Sequence, residues 1–177
     1  MGSTATSLDF DRKAFRQALG TFATGVTIVT AWDEITDAPV GVTASSFNSV
    51  SVDPPLVLWS VGRNALSAKV LISAKRYAIH VLHSGQSEIA NRFARSGADK
   101  FGPTDYERDA AGVPILKTFA SRFDCELHDV HGGGDHHIIV GRVVGICHGT
   151  GDPLVFHGGR YASALPLELL SELRSGN

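Results

Sequence analysis

Sulfur is scarce in this sequence: two cysteines, Cys125 and Cys147, and one methionine among 177 residues. Two thiols cannot build a disulfide framework, and without a C-x-x-C spacing they offer neither a redox dithiol nor a metal-ligand pair. Long apolar runs are also missing. No stretch of 18 or more apolar residues occurs, so the sequence holds no membrane-spanning helix. Residues 1–9 are small and polar and lack the apolar stretch of a secretory leader, so a cytoplasmic protein is expected. Met1-Gly2-Ser3-Thr4-Ala5-Thr6 fits the short myristoylation pattern, but any small polar leader does so, and no acylation is expected. Neither sign of charge dominates: 16 Lys and Arg face 18 Asp and Glu, a net charge of -2. Without a basic field, neither nucleic acid nor an anionic membrane is an expected partner. No G-x-G-x-x-G follows a strand, which excludes the Rossmann fingerprint. There is no Walker A sequence, and no G-x-S-x-G nucleophile elbow.

What is present reads as one globular domain. Apolar residues make up 43% and charged residues 19%, ordinary values for a packed core. Residues 1–10 read as a leader and 11–177 as the domain. Phe15, Ala18, Leu19 and Phe22 share one face of a helix over residues 11–22, with Asp9 or Asp11 as cap and Gly20 near its end. Strands are expected over 25–31, 40–43 and 56–61, with a turn over 33–39. Residues 65–73 and 87–95 look helical, and 77–82 extended. In residues 119–130, Phe123, Cys125 and Leu127 alternate with polar neighbours, the pattern of a half-buried antiparallel strand. Its partner is residues 137–146, across a turn at 132–135, and a last helix covers 166–173. Many strands, few helices and no regular βαβ alternation favour a mainly β fold, a barrel with added helices.

Three segments carry candidate chemistry. Gly41-Val42-Thr43-Ala44-Ser45-Ser46-Phe47-Asn48-Ser49-Val50-Ser51 is rich in hydroxyls and small side chains. Such a segment either satisfies its own backbone or lets N–H and O–H donors approach a ring or phosphate. Gly134-Asp135-His136-His137 either ends a glycine turn on the surface or presents one imidazole to a ligand. A metal site there is disfavoured, because neighbouring residues on a strand point to opposite faces. Asn91-Arg92-Phe93-Ala94 with Asp99-Lys100-Phe101 is either an amphipathic helix with a solvated face or a cationic and aromatic wall for a phosphate-bearing ring.

Taken in order, the pieces resemble the short-chain flavin reductase family, the reductase partners of two-component flavin monooxygenases. They are Phe15-Arg16-Gln17-Ala18-Leu19-Gly20 with Phe22-Ala23-Thr24-Gly25-Val26-Thr27, then Gly41-Val42-Thr43-Ala44-Ser45-Ser46-Phe47, then Ser49-Val50-Ser51 with Pro54-Pro55-Leu56-Val57-Leu58. Arg92-Phe93-Ala94 with Asp99-Lys100-Phe101 follows, then Gly134-Asp135-His136 leading to Val140-Gly141, and Asp152-Pro153-Leu154 with Gly159-Arg160-Tyr161. The resemblance implies an FMN-binding split β-barrel, usually a homodimer, holding FMN or FAD. It implies that Thr43, Ala44, Ser45 and Ser46 line the isoalloxazine or ribityl region and that Ser49 and Ser51 face the phosphate end. Ser60 and Val61 would border the ring, Phe93 and Lys100 would close the pocket, and His136 would sit where nicotinamide enters. No metal is implied. Trp59 departs from the pattern, standing where a smaller aliphatic residue is expected, and the segment after Tyr161 is longer than usual.

The activity so implied is hydride transfer from NADH or NADPH to flavin N5, in which the protein supplies alignment. Backbone N–H groups near Ser45 and Ser46, or the Lys100 ammonium, are candidates to stabilise negative charge at flavin N1 and C2=O. His136 is expected to orient the nicotinamide nucleotide. The reduced flavin would serve a monooxygenase component or an Fe(III) chelate. The residues alone leave open a non-catalytic flavin- or haem-binding barrel and, more remotely, a metal hydrolase.

Overall fold

Period-two patterning governs most of the chain, and the computed structural model, which describes residues 11–97 and 99–169, is built mainly of strands. The leader and the end of the expected closing helix lie outside the described residues; residues 167–169 are helical. Helix α1 (Arg12–Gly20) leads into β1 (Thr24–Gly25), β2 (Thr27–Asp33), β3 (Ala38–Ala44), β4 (Asn48–Ser51) and β5 (Leu56–Gly62). A short α2 (Ala68–Leu71), β6 (Arg76–Val81) and α3 (Ser87–Ala94) follow, then the small hairpin β7 (Tyr106–Arg108) and β8 (Pro114–Leu116). The long pair β9 (Ser121–Gly133) and β10 (His136–His148) precedes β11 (Leu154–His157) and β12 (Arg160–Ser163). Seven strands form one antiparallel sheet in the order β3-β2-β6-β9-β10-β5-β4. No described helix is long and apolar enough to cross a membrane.

The sheet curls around a core that includes Val29, Val57, Trp59, Tyr77, Ile79, Cys125 and Ile139. Cys125 points inward with its alternating neighbours, and burial pushes its thiol up to about 12. A second cluster, with Val26, Ile28, Phe93, Phe101 and Leu116, packs beneath α3. The β7–β8 hairpin covers the other side of the sheet, setting Val113 and Ile115 against Ala78. There His80 is wholly buried, with Nδ1 3.2 Å from the Ile28 carbonyl and Nε2 accepting the Leu116 N–H at 3.2 Å.

The β9–β10 hairpin is longer than its pattern suggests. Gly132 and Gly133 pair with His137 and His136, so the turn shrinks to Gly134-Asp135. Gly134 has a φ of +68°, a conformation in which glycine at the first turn position closes a tight hairpin without splaying its strands. Strand β4 replaces what the sequence presents as loop; Asn48, Ser49 and Ser51 have low strand propensity, and this edge strand buries little that would show alternation. The expected helix 65–73 contracts to α2. Helix α1 forms as expected, with Asp11 accepting the Lys13 N–H at 3.1 Å. On its apolar stripe Leu19 and Phe22 stay 57% and 73% exposed.

One core contact yields a stability prediction. The Tyr77 hydroxyl is buried beside the Trp59 Nε1–H, and neither makes a full hydrogen bond; the hydroxyl lies where a Cβ on Gly141 would stand. Desolvation raises its pKa. Removing an unsatisfied buried hydroxyl removes a desolvation cost, so Tyr77→Phe is expected to stabilise the fold by roughly 1 kcal/mol. A urea titration checks this; a loss of stability would show that the hydroxyl has a partner.

Candidate functional site

The curled sheet does not close through a ladder. Its two edges, β3 and β4, are joined by residues 45–47, and Ser46 ties this connection to β5. The Ser46 hydroxyl accepts the Ser60 N–H at 2.8 Å and donates to the Ser60 carbonyl at 3.3 Å. Beside Ser60, β10 pairs Ile138 with Ser60 and His136 with Gly62, so His136 stands one pleat along on the outer face. The ring lies close to Gly62, where a Cβ would be in ordinary van der Waals contact, 3.7 Å from His136 Nε2. The Asp135 carboxylate holds His136 Nδ1 at 2.7 Å, and that hydrogen bond draws the Asp135 pKa below its ordinary value. Nε2 is the ring nitrogen left for a ligand. Exposed Ser46 and His136 and half-buried Ser60 therefore share one polar stretch at the top of the seam, and Ser45 is exposed next to Ser46 in the chain.

Further along the seam is a cavity of about 560 Å³ between β3 and the segments 65–70, 94–97 and 99–101. Its apolar walls come from Val40, Val42, Ala65, Leu66, Val70 and Phe101. As a sheet edge, β3 pairs only with β2, so alternate backbone groups of β3 point away from β2. Gly41 is one of these, because its carbonyl accepts Lys100 Nζ at 2.9 Å. Two residues earlier, Pro39 places its missing N–H on that same free edge, where a strand proline removes no ladder bond. Lys100 also donates to the Phe93 carbonyl at 2.9 Å, and partial burial lowers its ammonium pKa. An ammonium has three donors, so one is left for the cavity.

The remaining expected residues occupy other places. Phe93 is wholly buried, 5.0 Å from Phe101 in an edge-to-face pair. A Cβ on Gly41 would come within 2.7 Å of its ring. Phe93 thus supports β3 from the core side and is no exposed pocket wall. Val61 faces the core with Val57 and Trp59, because odd positions of β5 point inward. Ala44 is buried in the same core. The Thr43 hydroxyl donates to the Ala90 carbonyl at 2.7 Å and fastens β3 to α3. Ser49 and Ser51 lie on β4, outside the cavity lining. Trp59 is accommodated wholly inside, 5.9 Å from Tyr77. His136 and His137 diverge as expected. Among the described residues no three His, Cys, Asp or Glu side chains gather to hold a metal.

The sequence reading missed the second wall, residues 65–70, and the lining residues Arg95 and Ser96. A signal existed for each. Residues 65–70 follow directly on the strand that carries Ser60, and Arg95 and Ser96 fall between the Phe93 and Lys100 pieces of the resemblance.

The profile of the flavin reductase like domain matches residues 19–165. The chain is 44% identical over 149 residues to an FMN reductase (NADH), SmoA, of Agrobacterium fabrum, covering 84% of each protein. It is 32% identical over 163 residues to HsaB, the reductase subunit of a flavin-dependent monooxygenase of Mycobacterium tuberculosis, covering 90% of this chain and 86% of that protein. Two other relatives are longer, and the chain spans 43% and 58% of them. The fold is similar to that of the Streptomyces globisporus NADH:FAD oxidoreductase SgcE6, solved in complex with NAD and FAD fragments. That match has a TM-score of 0.82 and 35% identity, and covers 88% of this chain and 94% of that one.

Proposed function

Since the chain belongs to the flavin reductase like family, we infer that the seam holds a flavin and that the protein reduces it with NADH and passes it on. The enzyme is an NADH-dependent FMN or FAD reductase on a split barrel. The carrying observation is the cavity on the free edge of β3, with Lys100 in its wall and the Ser46, Ser60 and His136 group further along the same seam.

The residues fit the group. Apolar side chains form walls for a fused ring system, while the β3 edge and Lys100 offer hydrogen bonds to a polar ring edge. When bound, flavin supplies the redox chemistry by accepting a hydride from the nicotinamide. The chain's own part is placement. Val40, Val42 and Leu66 exclude water from the ring, and Lys100 presents a fixed positive charge whose geometry is set by two carbonyls before any ligand arrives. Asp135 holds His136 so that Nε2 faces the nicotinamide nucleotide and can hydrogen-bond it. Hydride transfer asks no proton of this imidazole.

We take the working form to be a homodimer. The outer face beside Ser60 and His136 carries Leu56, Leu58, Ile138 and Val140, all only partly covered, and Leu19 and Phe22 of α1 are exposed as well. Sedimentation at micromolar concentration tests this; a monomer would refute it. The downstream acceptor is a monooxygenase component, a reading supported by the relative that is a reductase subunit, or an Fe(III) chelate. The site is expected to work in the cytoplasm.

The test of function is NADH oxidation with added FMN, followed first without oxygen and then in air. Turnover that scales with free flavin and continues in air supports a reductase that releases its product. Flavin binding without NADH oxidation would leave a binding module instead. His136→Ala is expected to raise the NADH KM about fivefold, the worth of one hydrogen bond near 1 kcal/mol, with FMN affinity unchanged. Unaltered kinetics would remove His136 from the site.

A further inference from the structure

We propose that Arg95 reads the phosphate of the flavin, so that the site selects FMN and FAD over riboflavin. The proposal rests on the flavin-binding reading of the cavity. It also reverses the expectation that Ser49 and Ser51 face that phosphate.

The direction of the site follows from how α3 lies along β3. Thr43 bonds to Ala90, and Phe93 packs against Gly41 one turn later. The helix thus advances from the Ser46 end of β3 toward Ala38, and Arg95 and Ser96 line the cavity beyond its last turn. The two ends of the seam then differ. One end carries Ser46, Ser60 and His136; the other carries Arg95, with the Ser67 and Ser96 hydroxyls also in the lining.

Arg95 differs from the cations around it. Arg92 donates to the Pro103 carbonyl at 3.4 Å and the Thr104 hydroxyl at 3.1 Å. Lys100 is held by two carbonyls. The Arg95 guanidinium has no hydrogen-bond or ion-pair partner among the described residues. Two carboxylates, Asp33 and Asp99, also line the cavity, but both are engaged by their own turns. Asp33 accepts the Ile35 N–H at 3.0 Å and the Thr36 hydroxyl at 2.7 Å, and Asp99 accepts the Gly102 N–H at 2.9 Å. An unpaired guanidinium at the rim of an apolar cavity is a complement for a phosphate, which takes paired N–H donors from a planar fork. The oxidised flavin ring is uncharged. A charge-reading residue at the end away from His136 therefore acts on the nucleotide's phosphate and leaves the ring's contacts alone.

The experiment titrates FMN and riboflavin into the parent, Arg95→Gln and Ser51→Asp, following flavin fluorescence at two salt concentrations. Arg95 is exposed and beyond the helix, so the variant is expected to fold, and its melting temperature serves as control. The proposal expects Arg95→Gln to weaken FMN by ~10-fold or more, to leave riboflavin within about twofold, and to flatten the salt dependence of FMN binding. It expects Ser51→Asp to bind FMN like the parent. Equal losses for both flavins in Arg95→Gln, or none, would overturn it, as would FMN weakened only in Ser51→Asp. A parent that binds FMN and riboflavin equally also overturns it while leaving the flavin site standing. A parent that binds neither flavin overturns the underlying reading instead.

Discussion

Replacing Lys100 with methionine is expected to weaken every flavin roughly 30-fold, equivalent to ~2 kcal/mol, and to lower the stability of the free protein. Both effects come from one ammonium. It donates to the carbonyls of Gly41 and Phe93, which belong to different elements, the edge strand and the helix packed on it. Methionine fills similar volume but leaves both carbonyls without their donor. Charge-assisted bonds of this kind contribute ~1.5–3 kcal/mol when buried, and partial solvent access to Lys100 discounts that, so a loss of about 2 kcal/mol is expected in a denaturant titration. The binding loss should be shared by riboflavin and FMN, because Lys100 acts on the ring side of the cavity. That separates it from Arg95, whose removal spares riboflavin. If Lys100→Met binds all flavins normally while losing stability, the ammonium is only a fastening between β3 and α3.

The second large effect is a loss of stability on mild acidification. Burial pushes the His80 imidazole down to about 3 from its ordinary 6.5. Its Nε2 accepts the Leu116 N–H, so the ring proton sits on Nδ1, directed at the Ile28 carbonyl. A charged ring has a second donor where Leu116 already donates. The folded state therefore keeps His80 neutral while the unfolded chain protonates it below pH 6.5. Stability from this group is fully present above pH 6.5 and falls steadily as pH drops toward 3. Between pH 7 and pH 5 the loss is about 2 kcal/mol. Urea titrations at both values check it, alongside His80→Gln, in which the pH slope should shrink by that amount. An unchanged slope would show that the folded protein accommodates the charged ring.

The sequence announced those parts of the fold that are local. Asp11 caps α1 as its position suggests, and the alternation through Phe123, Cys125 and Leu127 sets which face of β9 is buried. The divergence of His136 and His137 follows from strand geometry alone. The site was legible only in part, because it is assembled across distance. Ser46 and Ser60 were both expected, and their hydrogen bond joins residues 14 apart. The cavity needs β3, residues 65–70 and residues 94–97 and 99–101 to meet, and no local pattern encodes that meeting. Phe93 and Val61 show the opposite difficulty. Each lies in a segment that approaches the site, yet helix phase turns Phe93 and strand parity turns Val61 into the core. The α1 stripe has the period of a buried face, but periodicity does not say whether the covering surface belongs to the same chain.

The closure of the barrel by Ser46 has a kinetic consequence. Parting two paired strands breaks a cooperative ladder. Parting the seam at this point breaks no ladder: it disturbs the two hydrogen bonds of one exposed hydroxyl, a net cost of roughly 2 kcal/mol or less, and the contact of the neighbouring Phe47 with Phe123. A barrier of that kind is crossed within the ordinary microsecond-to-millisecond range of loop motion. The rest of the seven-stranded sheet can stay paired while a flat molecule enters, is changed and leaves, so turnover of a diffusing carrier needs no unfolding of the scaffold.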